Sequence, residues 1–420
     1  MKRLLKVTAS TGMLTLVKMI MGFIIAKFVA VTTGPSGIAL LGQIQTIVAA
    51  LTGVVNSPST VAVVRFTAEN YHNDLDKCSI WWKASVNWTL FILLLTILPG
   101  FLFSEQISSL LLNNKEYYWL IYIIVLSLPL SAMGNFLLCI INGQREFKVY
   151  VLLGMVSSVI SGIVMLIMIY KYNIIGALLA GATQSAVIGV IILFANIKKP
   201  WFKMSLFIGM VDIEKLKGIG AYISMSLFSA LSLPLALLFV RNILVDNVGW
   251  EKTGEWQAVW KISEVYLGVI TVALGTYFLP NISKLKTFLE IKKATNDIAK
   301  VIIPIVTVLA VAVYILRDFA ITVLFTKEFY EARELFLVQL MGDVIKIIGW
   351  IYAYTLLAKG MVKPFIILET IFSTSFIIST LIFVPKFGVE GANYSYILSY
   401  TLYLIATMLV VQKLTLRQLE

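Results

Sequence analysis

Twelve apolar stretches, each near the roughly 20 residues a helix needs to cross a bilayer, run through this chain. They lie near 11–31, 37–57, 85–103, 117–141, 149–170, 174–195, 219–244, 255–279, 300–316, 334–357, 362–384 and 388–411. In hydrocarbon every backbone N–H and C=O must be satisfied within the segment, so stretches of this length and number predict helices, not strands. The expected fold class is all-α: a polytopic membrane protein of twelve transmembrane helices in two six-helix lobes around a central cavity. Composition agrees. The 420 residues are 59% hydrophobic and 13% charged, against about 25% charged in a soluble domain, and the mean hydropathy is +0.91. The stretch at 11–31 is expected to be the first span, not a removed leader, because no small-residue cleavage site follows it.

Lysine and arginine placement orients the spans. The segment before the first span, together with those after spans 2, 4, 6, 8, 10 and 12, holds 22 basic residues. The alternate segments hold 6: Lys115, Lys171, Lys252, Arg317, Lys327 and Lys386. Cytoplasmic loops carry the basic excess, so both termini are expected in the cytoplasm. The net charge of +12 is thereby explained by orientation, and no nucleic acid partner is expected. Cys78, Cys139 and the single histidine, His72, suggest neither a disulfide nor a metal site, and no cofactor is expected. The outer loops are short. Ile107–Leu112 and Phe319–Phe325 are candidate interfacial helices.

The two halves resemble each other at a fixed spacing. An offset of 215 carries Lys148 to Lys363, Lys171 to Lys386 and Gly176–Ala177 to Gly391–Ala392. An offset of 214 carries Lys27 to Arg241, and a slightly longer loop brings Gly37 to Gly254. Each half begins on the same side and has an even number of spans, so the repeat is parallel. The expected lobes are 1–197 and 212–420, joined by a basic cytoplasmic connector at 198–211 that contains Pro200 and Trp201.

Six basic residues remain. Lys18, Lys27, Arg241, Lys261, Arg333 and Lys346 lie inside spans or at their rims, where a charge costs roughly 2.5–3.5 kcal/mol at a helix centre. Glu264 and Asp343 are the acids near them in sequence. An excess of intramembrane cations suits an anionic substrate. Lys27 and Arg241, the repeat-related pair, either snorkel to outer headgroups or present one cation per lobe to a phosphate, bidentately in the case of arginine. Lys18 lies nine residues before Lys27, half a turn out of phase, so either Gly22 bends the helix or the two face different neighbours. Gln257, Lys261 and Glu264 form one helical stripe, and Gln339, Asp343 and Lys346 another at the same spacing. In each stripe the acid and lysine can pair. They form either an internal ion pair or a coupling device in which a proton or cation on Glu264 or Asp343 releases the lysine to the substrate. Trp256 and Trp260 read as an aromatic belt or as a sugar-stacking surface. Gln43, Gln45 and Asn56 read as helix–helix hydrogen bonds or sugar contacts. Glu369 is an intramembrane acid without a clear partner. Arg65 and Glu69 either gate the inner mouth or are solvated.

Certain stretches carry a family resemblance by their order and spacing. They are Leu16–Val17–Lys18, Lys27 through Gly34–Pro35–Ser36–Gly37, Gly254–Glu255–Trp256–Gln257, Ile262–Ser263–Glu264, Tyr277–Phe278–Leu279–Pro280, Leu316–Arg317–Asp318–Phe319 and Leu340–Met341–Gly342–Asp343–Val344–Ile345–Lys346. Through them the chain resembles the Wzx flippases of the multidrug/oligosaccharidyl-lipid/polysaccharide exporter superfamily, most of all the branch that moves the enterobacterial common antigen unit. The resemblance implies translocation of an undecaprenyl-pyrophosphate oligosaccharide from the inner to the outer leaflet by alternating access, for O-antigen or common-antigen synthesis. The basic cavity it leads one to expect fits Lys18, Lys27, Arg241, Lys261 and Lys346 as substrate-binding cations; Gln43 and Trp260, from the residues themselves, are the candidate sugar contacts. Membrane lipid is an implied partner. A polysaccharide polymerase and a chain-length regulator are candidate partners to which no residue points. A multidrug or organic-cation antiporter of the same superfamily is the alternative, but it would favour acids over bases in its cavity. A membrane glycosyltransferase or polymerase fits less well, because the first outer loop, Thr32–Ser36, holds no acid. The absence of a nucleotide-binding loop argues against an ATPase.

Overall fold

The computed structural model describes residues 2–71, 74–278, 281–282, 285 and 287–416. His72, Leu279 and Pro280, named above, and Lys284, Lys286 and Arg417, three of the 22 basic residues counted above, lie outside the described residues. Among those described there is no strand. The elements are α1 (Lys2–Thr60), α2 (Ala62–Asn70), α3 (Leu75–Leu102), α4 (Ser104–Leu112), α5 (Tyr118–Gly143), α6 (Phe147–Asn196), the single turn α7 (Met204–Phe207), α8 (Ile213–Ala273), α9 (Phe288–Ile315), α10 (Arg317–Leu324), α11 (Phe336–Ala358), α12 (Val362–Phe387) and α13 (Glu390–Leu416). Leu274–Phe278 forms a π-helical turn and Lys327–Leu335 a 3-10 stretch.

Nine helices among the described residues are long and apolar enough to cross a membrane. Three of them contain one non-helical residue each: Gly34 (φ 64°, ψ −164°), Asn173 (φ 48°, ψ −126°) and Gly249 (φ 81°, ψ 171°). Each of these helices is two spans turned at a single residue, so the nine hold the expected twelve. Glycine takes positive φ without a Cβ clash, and asparagine is among the residues that tolerate it best. The short outer loops read from sequence are thus one-residue breaks. The two candidate interfacial pieces are helices, α4 and α10.

Two helices begin well before their apolar stretches. The Asp74 carboxylate caps α3 by accepting from the N–H groups of Asp76 and Lys77 (2.9 and 3.2 Å). Thr287 and Glu290 form a reciprocal capping box at the start of α9. Such caps satisfy donors that a helix end leaves open, and they extend both helices on the basic side.

The backbone repeats at the spacing seen in the sequence. Positive φ recurs 215 residues apart at Gly34 and Gly249, at Arg145 and Gly360, and at Asn173 and Gly388. A Cβ on Gly176 would strike the backbone of Met168, and one on Gly391 would strike that of Phe383, again 215 residues on.

The chain divides into two compact units, one of Met1–Phe28 with Leu41–Leu238, the other of Val29–Leu40 with Phe239–Glu420. In the first unit α5 meets the second limb of α6 through small residues. Gly134 lies against the Cα of Gly189, and a Cβ on Gly189 would strike the Leu130 carbonyl. Ser127 Oγ donates to the Ala182 carbonyl at 3.3 Å. Close backbone approach of this kind gives dispersion contact where lipid removes the hydrophobic drive between helices. At the basic end an aromatic cluster closes this unit: Trp82, Trp201, Phe207 and Phe136 are buried, and Trp82 Nε1 donates to Thr67 Oγ1 at 2.8 Å. In the second unit Leu267, Ile270, Phe278, Ile291, Ile347 and Ile351 form the corresponding apolar core.

Candidate substrate and coupling site

The second unit holds most of the ionisable groups singled out from sequence and buries three of them, Arg241, Asp343 and Lys346. On α11 the stripe Gln339, Asp343 and Lys346 faces inward, with relative exposures of 1%, 0% and 6%. It meets α13, where Tyr396, Tyr400 and Tyr403 repeat the same i, i+4, i+7 spacing and are equally buried. Glycine makes the approach possible. A Cβ on Gly342 would overlap the Tyr396 ring, and one on Gly349 would lie 3.0 Å from Tyr403 Cδ1.

Asp343 is held by hydroxyls. Tyr266 donates to Oδ2 at 2.8 Å and Tyr396 to Oδ1 at 2.8 Å, with Gln339 Nε2 at 3.4 Å from Oδ1. Hydrogen bonds to a carboxylate are stronger than neutral ones, and a buried carboxylate without them would be costly. The Lys346 ammonium is enclosed by rings: Trp350 at 4.8 Å, Tyr400 at 5.4 Å, Trp260 at 5.7 Å and Tyr396 at 5.8 Å from their centroids. Ring faces attract cations at these distances.

Among the described residues neither Asp343 with Lys346 nor Glu264 with Lys261 forms an ion pair within 4.0 Å. The i, i+3 pairing open to both stripes is therefore not made. Tyrosines from α8 and α13 occupy the Asp343 oxygens, and aromatic rings take the lysine. Glu264 is exposed and accepts from Trp260 Nε1 at 2.9 Å. Lys261 is half-buried. Glu369, half-buried on α12, accepts from Tyr403 Oη at 3.4 Å.

Arg241 is buried, and its Nε donates to Gln257 Oε1 at 2.7 Å across the Gly249 break. The break folds the two limbs of α8 back on each other, which brings residues 16 apart into contact. Trp256 and Trp260 are both buried. Trp256 Nε1 donates to Asn393 Oδ1 at 2.9 Å. The Trp260 ring packs against Trp256 (5.3 Å), Tyr396 (5.2 Å) and Phe376 (6.4 Å). Both tryptophans sit inside the unit, neither in a surface belt nor open to a sugar ring in this structure. Arg333 lies at the rim, 3.4 Å from Asp318 and 3.6 Å from Glu334.

The first unit holds the remaining candidates. Lys18 is exposed and Lys27 half-buried on the first limb of α1. That limb is unbroken at Gly22, the only non-helical position in α1 being Gly34, so the two lysines face different surroundings. Gln43 is fully buried, and its Nε2 donates to the carbonyls of Leu111 (2.7 Å) and Leu238 (3.4 Å). Its amide ties the end of α4 to the first limb of α8. Arg65 and Glu69 form an exposed ion pair at 2.9 Å. Among the described residues no group of three or more His, Cys, Asp or Glu is arranged to hold a metal ion.

Sequence reasoning did not single out Tyr266, Trp350, Tyr396, Tyr400 or Tyr403. The tyrosines of α13 carried a signal in their i, i+4, i+7 spacing. Nothing in the sequence tied that stripe to the one on α11.

Residues 4–286 match the profile of the family described as polysaccharide biosynthesis protein. The chain is 28% identical over 409 residues to the lipid III flippase of Escherichia coli (strain K12), covering 95% of this chain and 96% of that one, and equally similar to the lipid III flippase of Shigella flexneri. Among solved structures, a multidrug resistance MATE family transporter of the MOP superfamily in an inward-facing conformation superposes with a TM-score of 0.79 at 14% identity, over 96% of this chain and 98% of that one. A MOP superfamily transporter from Pyrococcus furiosus, described as having a binding pocket of reverse polarity, gives 0.67 at 15% identity, over 97% and 95%. These likenesses establish the fold.

Proposed function

The chain belongs to the polysaccharide biosynthesis protein family, and from that premise we propose that it is a flippase for lipid-linked oligosaccharides. The finer reading is that it moves an undecaprenyl-pyrophosphate oligosaccharide from the cytoplasmic to the periplasmic leaflet of a bacterial inner membrane by alternating access. The product feeds a cell-surface polysaccharide such as O-antigen or common antigen. Both termini lie in the cytoplasm, the repeat units are 1–197 and 212–420 with the connector at 198–211, and a polymerase and a chain-length regulator act downstream. The observation that carries this reading is likeness to lipid III flippases along 95% of the chain, joined to an intramembrane excess of basic over acidic residues.

Lys18, Lys27, Arg241, Lys261 and Lys346 are the phosphate-binding cations. Gln43 and Trp260 support the site from within the packed helices. Arg241 suits a pyrophosphate oxygen pair, since guanidinium offers two parallel donors. Asp343 and Glu264 are the coupling acids. Neutralising Asp343 by a proton or cation removes the negative charge nearest Lys346 along α11, and the lysine then favours an anion. Proteoliposomes loaded with a labelled polyprenyl-pyrophosphate oligosaccharide test this. Intact protein should move label to the far leaflet and Arg241→Ala should not. No movement by intact protein under either a proton or a sodium gradient rejects the flippase reading. Unchanged ion dependence in Asp343→Asn rejects the coupling role of that residue.

A further inference from the structure

A groove on the first unit has no part in that reading. It is bounded by α3 (Val86, Thr89, Leu90, Leu93), by α5 (Pro129, Ala132, Met133, Phe136, Leu137) and by the connector (Met204, Phe207, Ile208), and encloses about 280 Å³. That is near the lower end of the roughly 300–1,000 Å³ of small-molecule pockets. It suits part of one hydrocarbon chain. Thr89 is its one polar lining residue. None of the cations assigned to substrate lines it.

The connector behaves as an interfacial element. Met204, Ile208 and Met210, with Ile213 just beyond, are strongly exposed apolar side chains, and they follow the exposed Lys198, Lys199 and Lys203. Such a mixture rests at the level of lipid headgroups. It is pinned to one face of α3: Ser79 Oγ donates to the Leu206 carbonyl at 2.9 Å and Asn87 Nδ2 to the Gly209 carbonyl at 3.3 Å. Between them on that face, Lys83 lies over Gly209, its Nζ 3.4 Å from where a Cβ would stand. Among the described residues no carboxylate lies within 4.0 Å of Lys83 or Lys203. The groove is therefore apolar along its walls, with Lys83 lying over Gly209 next to the lining Ile208 and the exposed Lys203 immediately preceding the lining Met204.

We propose that this groove holds one acyl chain of a resident anionic glycerophospholipid, whose phosphate is bound at Lys83 and Lys203. The occupant has a hydrocarbon tail because the walls offer nothing polar except Thr89. It is anionic because Lys83 and Lys203 neighbour lining residues of the connector and neither lies within 4.0 Å of a carboxylate among the described residues. It is a resident lipid and not cargo because the mouth sits at the interfacial connector, where phosphates of the surrounding leaflet already lie. The bound lipid staples the connector to α3 and α5 and does so whatever the protein transports.

The test uses full-length protein in nanodiscs of equimolar phosphatidylglycerol and phosphatidylethanolamine. A phosphatidylglycerol carrying a photoreactive group on one acyl chain is cross-linked and mapped by peptide mass spectrometry, and lipid retention is read by native mass spectrometry. Expected are cross-links on residues 86–93 or 129–137 and preferential retention of phosphatidylglycerol. Lys83→Ala with Lys203→Ala should lower that retention by about fivefold or more, the effect of one to two basic groups at an anionic lipid surface, while Lys83→Arg with Lys203→Arg keeps it. Thermal unfolding of each variant shows that the fold is intact. Cross-links confined to other segments, equal retention of the two lipids, or an alanine variant that retains lipid like the intact protein would overturn the proposal. So would displacement of the cross-linkable lipid by an undecaprenyl phosphate at low mole fraction, since the groove would then belong to polyprenyl cargo.

Discussion

The helix pairs α5–α6 and α11–α13 occupy equivalent places in the repeat and are packed by opposite means. Stepping back by 215 residues, Gln339, Asp343 and Lys346 correspond to Ile124, Leu128 and Ser131, and Tyr396, Tyr400 and Tyr403 to Gly181, Ser185 and Ile188. The first unit brings backbones together through Gly134 and Gly189. Its serines donate mostly to main-chain carbonyls, as Ser127 does to Ile124 and Ala182. The second unit keeps the glycine on α11, where Gly349 corresponds to Gly134, and uses the space for tyrosine rings that surround an acid and a lysine. One backbone plan thus carries a scaffold in one copy and buried ionisable chemistry in the other. The second arrangement costs desolvation, and hydrogen bonds from Tyr266 and Tyr396 offset part of that cost.

The largest test of this contrast is to give the second unit the residues of the first. Lys346→Met alone leaves Asp343 buried without its nearest cation in α11. The two groups are more than 4.0 Å apart, so the about 3–5 kcal/mol lost when a buried ion pair is broken and one charge is left uncompensated is the upper bound, and thermal unfolding in detergent should register a loss of up to that order. Adding Asp343→Leu should recover most of the stability while transport stays at the level of empty vesicles. If the double variant unfolds as early as the single one, the aromatic surround, not the charge balance, sets stability, and the comparison between the pairs fails.

Glycine substitutions come next and separate backbone contact from ring contact. Gly134→Ala drives a methyl into the Gly189 backbone, which has nowhere to go. Gly342→Ala meets the Tyr396 ring, which can tilt. Overpacking costs typically about 1–3 kcal/mol, so Gly134→Ala should fall near the top of that range and Gly342→Ala near the bottom. Equal losses in unfolding temperature would mean that both interfaces are equally rigid. Tyr396→Phe then removes a single hydroxyl from Asp343. A hydrogen bond to a charged group contributes about 1.5–3 kcal/mol. Tyr403→Phe, whose hydroxyl is 3.4 Å from Glu369, should cost less, and Tyr396→Phe should also alter the ion dependence of transport where Tyr403→Phe does not.

The sequence made the scaffold readable and the chemistry only half so. Apolar length and lysine placement are local properties, and they give twelve spans with a parallel repeat. The stripe Gln339–Asp343–Lys346 is readable because it lies on one helix. Its partners are not, because Tyr266 and Tyr396 stand 77 and 53 residues from Asp343. A helical wheel places Asp343 and Lys346 side by side and so invites an ion pair. It cannot register that hydroxyls and rings from two other helices compete for both groups. The repeat pairing of Lys27 with Arg241 likewise says nothing of burial. Arg241 is enclosed because Gly249 turns α8 back and brings Gln257 to it, whereas Lys27 is half-buried.

The smallest expected effect sharpens the comparison from outside both packed interfaces. Arg65 and Glu69 are basic and acidic neighbours on α2, as Lys346 and Asp343 are on α11, and they do form an ion pair, at 2.9 Å. Yet both side chains are about half exposed, 52% and 50%, so water already solvates each charge. Pairs of this kind at i, i+4 contribute about 0.3–0.5 kcal/mol. Arg65→Ala should shift unfolding by no more than that, and less still at high salt, since screening acts on exposed charges. Lys346→Met should lose its several kcal/mol at any ionic strength. An Arg65→Ala variant that keeps its stability but stops transporting would give the pair a gating role at the basic side. A variant unchanged in both leaves it a solvated surface contact, and burial, more than the presence of an ion pair, decides which charges of this protein matter.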